Sequence, residues 1–147
     1  MKYTTAKFGR VFVVRLEDGE VIHKQIESFA REKKISCAGV IFVGGAQKGS
    51  EVVVGPKKGN NKEIIPMKFL LRDIHETGGV GTIFPNEKGE PVLHMHNFFG
   101  RKNKSVCGCV RKGIKVWLVG EAIIFELKSC SAKRRKDKKS GFELLRC

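Results

Sequence analysis

The stretch VGTIFPNEKGEPVLHMHNFF, residues 80–99, decides the fold. It contains two runs rich in β-branched and aromatic residues, at residues 80–84 and 91–99, separated by the turn-forming residues 86–89. This pattern predicts a hairpin of two antiparallel strands. Six further β-rich runs, broken by glycine, lie at residues 8–16, 36–43, 51–54, 67–71, 115–119 and 121–127. We therefore expect a mostly antiparallel sheet.

One segment has helical periodicity. Ile22, Ile26, Phe29 and Ala30 fall on one side of residues 20–33, and charged and polar residues occupy the other side. One main amphipathic helix packed on a mostly antiparallel sheet gives an α+β fold. No repeat or low-complexity linker divides residues 1–147, so we expect a single domain.

The composition is typical of a soluble globular protein. The chain has 147 residues, of which 41% are hydrophobic and 30% are charged. No stretch approaches the roughly 18 apolar residues that span a bilayer, and the first residues lack the apolar block of a signal peptide. We therefore expect a cytoplasmic protein with no membrane partner. The odd number of cysteines, five, indicates reduced thiols rather than a disulfide framework.

His94 and His96 are candidate metal ligands. Side chains alternate along a strand, so two histidines at i and i+2 project from the same face. Cys109 follows on a second segment, and imidazole and thiolate are the ligands that zinc favours. Three protein ligands leave a fourth position open, as in reactive or ligand-binding sites. We predict zinc, or another divalent transition metal, at His94, His96 and Cys109.

Alternative roles exist for each of these residues. The two strand histidines could instead bond to backbone or carboxylate groups, and Cys109 could be a buried thiol. If the segment around Cys109 is extended, Cys107 shares its face and is the reserve ligand. His75 fits a loop residue better than a ligand, and His23 fits a structural residue of the helix.

Most of the positive charge lies in the last third of the chain. Residues 101–147 contain fourteen Lys or Arg and four acidic residues, a net +10 of the total +14. Such patches attract polyanions through counterion release without reading bases, although a solvated basic surface is the alternative. The candidate nucleic-acid contacts are Arg101, Lys102, Lys104, Arg111, Lys112, Lys133, Arg134, Arg135 and Lys136, with the last four in a basic run that continues to Lys139.

Several segments together resemble the plant and prokaryote conserved (PPC) domain. They are Gly81-Thr82-Ile83, Gly89-Glu90-Pro91, His94-Met95-His96, Val106-Cys107-Gly108-Cys109-Val110 and Gly120-Glu121-Ala122-Ile123-Ile124, with Asp18-Gly19-Glu20 before the helix and residues 42–46 after it. The resemblance spans about residues 8–146. It implies an α+β fold that assembles as a homotrimer and, in plants, accompanies an AT-hook in nuclear DNA-binding proteins. This chain has no Arg-Gly-Arg-Pro hook, and Cys109 stands where the family has a third histidine.

Two functions from different classes follow. The first is a metal-containing protein whose basic surface binds DNA or another polyanion without sequence preference. The second is a small metal-dependent enzyme with an open zinc position and Glu121, Glu76 or Asp73 as general base. The charge asymmetry favours the first function, and the two histidines are compatible with both, so the sequence leaves open whether the chain is an enzyme.

Overall fold

The computed structural model describes residues 1–59, 64–138 and 140–147. In chain order the elements are β1 (Lys7–Glu17), α1 (Ile22–Glu32), β2 (Ala38–Ala46), β3 (Glu51–Pro56), β4 (Pro66–Leu70), β5 (His75–Pro85), β6 (Pro91–Arg101), β7 (Lys104–Cys109), a short 3-10 helix (Val110–Lys112), β8 (Val116–Lys128), β9 (Lys133–Lys136) and β10 (Glu143–Arg146). No helix in these ranges is long and apolar enough to cross a membrane.

Eight strands form one sheet in the order β1-β8-β2-β5-β6-β7-β3-β4, while β9 and β10 pair separately. Every neighbouring pair is antiparallel. One amphipathic helix accompanies this sheet, which confirms the predicted α+β class.

The predicted hairpin is formed by β5 and β6, with Pro85 opposite Pro91. The side-chain oxygen of Asn86 accepts hydrogen bonds from the backbone N–H groups of Lys88 and Glu90, each at 3.0 Å. Gly89 closes the turn at φ +82°, a left-handed conformation that glycine adopts without a steric penalty. Local turn chemistry therefore fixes the register of the two central strands.

The runs predicted at residues 115–119 and 121–127 form one strand, β8, instead of two. Gly120 lies inside this strand and does not end it. The ring of Phe42 packs against Gly120 so closely that a Cβ at this position would lie 2.8 Å from the ring. An irregular register between β2 and β8 absorbs the extra residues beside this contact, where Leu118 adopts φ +64°. The glycine therefore marks a close approach within the sheet.

The helix covers one face of the sheet. Ile22, Ile26 and Ala30 are fully buried in the main core, together with Leu93 and Met95 from β6. Because strand side chains alternate, the neighbours of these β6 residues point to the other face, which we call the open face. His94, His96 and Phe98 are exposed there.

Candidate metal centre

His94, His96 and Cys109 converge on the open face. His96 lies directly opposite Cys109 in the antiparallel pair of β6 and β7. The Nε2 atoms of His94 and His96 are 3.1 Å apart, and one ligand atom from each of the three residues lies within 4.8 Å of the others. Zinc–nitrogen bonds of about 2.0–2.1 Å in a tetrahedral site separate two nitrogens by about 3.3 Å. The donor set and its spacing therefore fit one zinc-sized ion after small side-chain movements.

The environment favours the neutral form of His94. Burial, then the neighbouring imidazole of His96, and then Arg134 and Arg111 lower the pKa of His94. A neutral imidazole keeps the lone pair that binds a metal. The 3.1 Å separation also fits a single N–H···N hydrogen bond between the two rings, a contact other than the backbone or carboxylate bonds that the sequence leaves open as the alternative.

The other metal-ligand candidates lie outside this cluster. Cys107 is exposed on β7 beside Phe98, one step along the open face. The Nδ1–H of His75 donates to the backbone carbonyl of Asp73 at 2.8 Å, because a carbonyl oxygen can only accept. His23 lies on α1, where burial lowers its pKa. Among the described residues, the cluster therefore consists of the three candidate ligands His94, His96 and Cys109, and it does not include Cys107.

None of the three carboxylates considered as general bases joins the cluster. Glu121 lies on β8, three strands away from β6. Glu76 lies four residues along β5 from the position opposite His96, about 13 Å at strand spacing. Asp73 is paired with Arg101. Among the described residues, the geometry therefore supplies no carboxylate base beside the three candidate ligands.

The residues predicted to contact phosphates form separate groups, which lie toward opposite ends of β6. Arg101, Lys102 and Lys104, which we call the hairpin cluster, lie exposed at the turn between β6 and β7. They line a cleft of about 730 Å³ together with Arg72. Arg101 lies seven positions after His94 in the sequence, which corresponds to about 23 Å along the strand.

A second group lies on the β9–β10 hairpin, which approaches the sheet near His94. The exposed basic residues of its two strands, which we call the terminal cluster, are Lys133, Arg135, Lys136 and Arg146. Lys133 pairs with Arg146 across the two strands, a contact that sequence analysis did not identify because it did not predict this hairpin. Arg111 and Lys112 are exposed on the 3-10 helix that follows Cys109. Lys139, at the end of the basic run, lies outside the described residues.

Arg134 differs from its neighbours in the basic run. It is only 5% exposed, so its side chain is not placed for a surface phosphate contact of the kind that the sequence suggests. Its Nη2 donates to the Oγ1 atom of Thr82 at 3.2 Å, and the guanidinium carbon lies 5.9 Å from the centre of the Phe84 ring. Burial lowers the pKa of Arg134.

Comparison with known proteins identifies the relatives of this chain. The family model described as the Plants and Prokaryotes Conserved (PCC) domain matches residues 3–128. A metal-containing protein from Archaeoglobus fulgidus shares 24% identity at a TM-score of 0.84, with 100% of each chain covered. A plant- and prokaryote-conserved (PPC) protein from Pyrococcus horikoshii shares 23% identity at a TM-score of 0.84, with 100% of this chain and 98% of that chain covered.

A protein from Bacteroides thetaiotaomicron, described as a candidate DNA-binding protein, shares 18% identity at a TM-score of 0.76. The match covers 97% of this chain and 98% of that chain. At these identities, the three solved structures show a common fold. No curated protein sequence matches the chain.

Proposed function

The chain belongs to the Plants and Prokaryotes Conserved domain family, and we propose that it is a metal-containing member that binds DNA or another polyanion without sequence preference. In this proposal His94, His96 and Cys109 hold one zinc ion or another divalent transition metal. The observation that carries the proposal is the convergence of three ligand atoms within 4.8 Å on the open face. The similar Archaeoglobus structure, described as metal-containing, supports it.

Each ligand has a distinct part in the proposed site. The two imidazoles supply neutral nitrogens, and Cys109 supplies a thiolate, so a divalent ion would leave a net charge of about +1. When bound, such an ion acts as a Lewis acid with one position free for a further ligand. We propose ligand binding rather than an enzymatic reaction, because none of the described carboxylates lies in the cluster.

Zinc titration of the metal-free protein against a chelating dye tests the ligand set. Cys109→Ser should lower zinc affinity strongly, because a three-ligand site loses its only thiolate. Cys107→Ser is the matched control, two residues earlier on the same strand and face, and should bind zinc like the wild type. Equal loss in both variants, or loss only in the Cys107 variant, would refute the assignment.

The exposed basic residues support the polyanion part of the proposal. The hairpin cluster and the terminal cluster lie toward opposite ends of β6, and their exposed positive charges attract phosphates without reading bases. Unrelated duplexes should therefore bind with similar affinity at about 50 mM salt, where non-specific contacts are strongest. Anisotropy measurements that detect no binding under these conditions would remove DNA from the proposal.

The open face supports self-association. Val13, Ile123, Ile41 and Val80 form one exposed row across four neighbouring strands, with exposures of 84%, 38%, 45% and 67%. An uncovered apolar row of this kind indicates an interaction surface. We propose that further copies of the chain cover this row in a homotrimer, the number of copies implied by the family resemblance.

A cytoplasmic location is also part of the proposed function.

A homotrimer has a mass of about 49 kDa, three times the 16.4 kDa of one chain. Light scattering at micromolar concentration should give this mass. A mass of 16.4 kDa under the same conditions would contradict the proposed assembly.

A further inference from the structure

We propose that Arg134 and Arg111 form an oxyanion-binding subsite beside the metal ligands. The subsite would hold one carboxylate or phosphate group that also reaches the open position of the metal. This inference rests on the proposed metal centre and specifies the class of ligand that the centre would take.

The position of Arg134 is the first argument. Its Nη2 donates to the Oγ1 atom of Thr82 at 3.2 Å, and Thr82 lies directly opposite His94 in the pair of β5 and β6. Directly opposed residues on antiparallel strands have Cβ atoms about 4.5–5.5 Å apart. The guanidinium group of Arg134 therefore lies at the edge of the metal cluster.

The second argument is that Arg134 is a buried cation without a full set of partners. It is 5% exposed, and its Nε–H group has no hydrogen-bond acceptor among the described residues. No described carboxylate forms an ion pair with Arg134. Glu143 acts on it only through its charge, which raises the pKa of Arg134. A buried charge is costly unless it is paired, and the Phe84 ring compensates only in part.

Arg111 is a second cation close in sequence to a candidate ligand. It lies two residues after Cys109 and is exposed. The geometric place of Arg111 in the proposed subsite is therefore its sequence position beside Cys109, on the 3-10 helix Val110–Lys112 that follows β7.

The chemistry of these groups selects the ligand. The Nε–H and Nη–H groups of an arginine form a planar fork that matches the two oxygens of a carboxylate or phosphate. A metal centre with a net charge of about +1 adds attraction for the same ligand and repels cations. The expected occupant is therefore a small oxyanion, bound by the Arg134 fork on one side and by the metal on the other.

Cobalt-loaded protein tests the inference, because the visible spectrum of cobalt reports its coordination directly. Inorganic phosphate and acetate are titrated separately, and at least one should change the wild-type spectrum saturably. Arg134→Gln should weaken that binding by at least about tenfold with its cobalt content unchanged, as expected when a bidentate contact is lost. Arg31→Gln is the matched control, since it removes an exposed arginine charge from α1 on the other face of the sheet, and it should bind as the wild type does.

Arg111→Gln provides a second test. Because Arg111 is exposed, this substitution should leave the fold intact, and it should weaken anion binding several-fold. If Arg134→Gln fails to fold, Arg134→Lys replaces it, and the loss of the planar fork should again weaken binding. Saturation by phosphate alone identifies a phosphate ligand, and saturation by acetate alone identifies a carboxylate ligand.

The inference is overturned if cobalt binds and neither anion changes the spectrum, or if the Arg134 and Arg111 variants bind anions as tightly as the wild type. Failure of the wild type to bind cobalt would instead refute the proposed metal centre, and the inference with it. Measured cobalt content separates these two results.

Discussion

Replacing Lys133, Arg135 and Lys136 together by glutamine should weaken DNA binding on every sequence and flatten its salt dependence. All three side chains are exposed, whereas Arg134 between them is buried, so this segment offers three phosphate contacts and not four. Each neutralised phosphate contributes a slope of about −0.9 in log affinity against log salt, so three contacts contribute about −2.7. Between about 50 and 200 mM salt, the wild type should therefore lose about 40-fold more affinity than the variant.

Fluorescence anisotropy with labelled duplexes of unrelated sequence measures this difference at several salt concentrations. The matched control replaces Lys24, Arg31 and Lys33 by glutamine, which removes the same charge from exposed positions on α1 and at its C-terminal end. Because these residues belong to the helix that covers the other face of the sheet, the control should keep the wild-type slope.

Two results would refute this reasoning. An unchanged slope in the terminal-cluster variant would show that these residues do not contact phosphates. An equal flattening in the α1 control would show that net charge alone, and not a local surface, governs binding.

Three further predictions concern packing, pH and assembly. Gly79→Ala should lower the free energy of unfolding by about 1–3 kcal/mol and reduce zinc binding, because the new Cβ would overlap a backbone carbonyl of β6. Urea denaturation measures this loss. The control Gly39→Ala should show no such loss, because a Cβ at residue 39 meets nothing within 4 Å. Hydrogen bonds from Arg10 lower the pKa of Glu126 from 4.5 to about 2, so the stability they provide is complete above pH 4.5 and is lost as the pH falls toward 2. Thermal unfolding of Glu126→Gln should therefore change less over this range, and a profile parallel to that of the wild type would contradict the assignment. Val80→Lys should lower the mass in light scattering toward 16.4 kDa by placing a charge in the apolar row, and an unchanged mass would exclude this row from the interface.

The central elements of the fold could be predicted from sequence because their patterns are strong. The helix predicted over residues 20–33 is observed at Ile22–Glu32, and the hairpin of β5 and β6 is observed where its turn residues placed it. The strands β7, β9 and β10 were missed. The sequence of β9, KRRK, has no strand pattern of its own, and its one buried side chain, Arg134, packs against Thr82 and Phe84 from distant parts of the chain.

The candidate site was partly accessible from the same sequence. Period-two alternation placed His94 and His96 on one face without knowledge of the sheet. The approach of Cys109 depends on the register of β6 and β7, in which a two-residue turn pairs Arg101 with Lys104 and therefore sets His96 opposite Cys109. This turn has a weak sequence signal, because a lysine, Lys102, adopts the left-handed φ of +55° that glycine or asparagine usually supplies. The place of Arg134 beside the cluster follows from tertiary packing and has no local signal.

The metal content of the purified protein tests the central claim most directly. Elemental analysis should find about one zinc or other divalent transition-metal ion per chain in the wild type. A variant that combines His94→Ala with His96→Ala should contain almost none after the same purification, because only one ligand of the cluster remains. Two results would contradict the account. The first is wild-type protein without stoichiometric metal after incubation with zinc and removal of the excess. The second is a double variant that binds as much metal as the wild type.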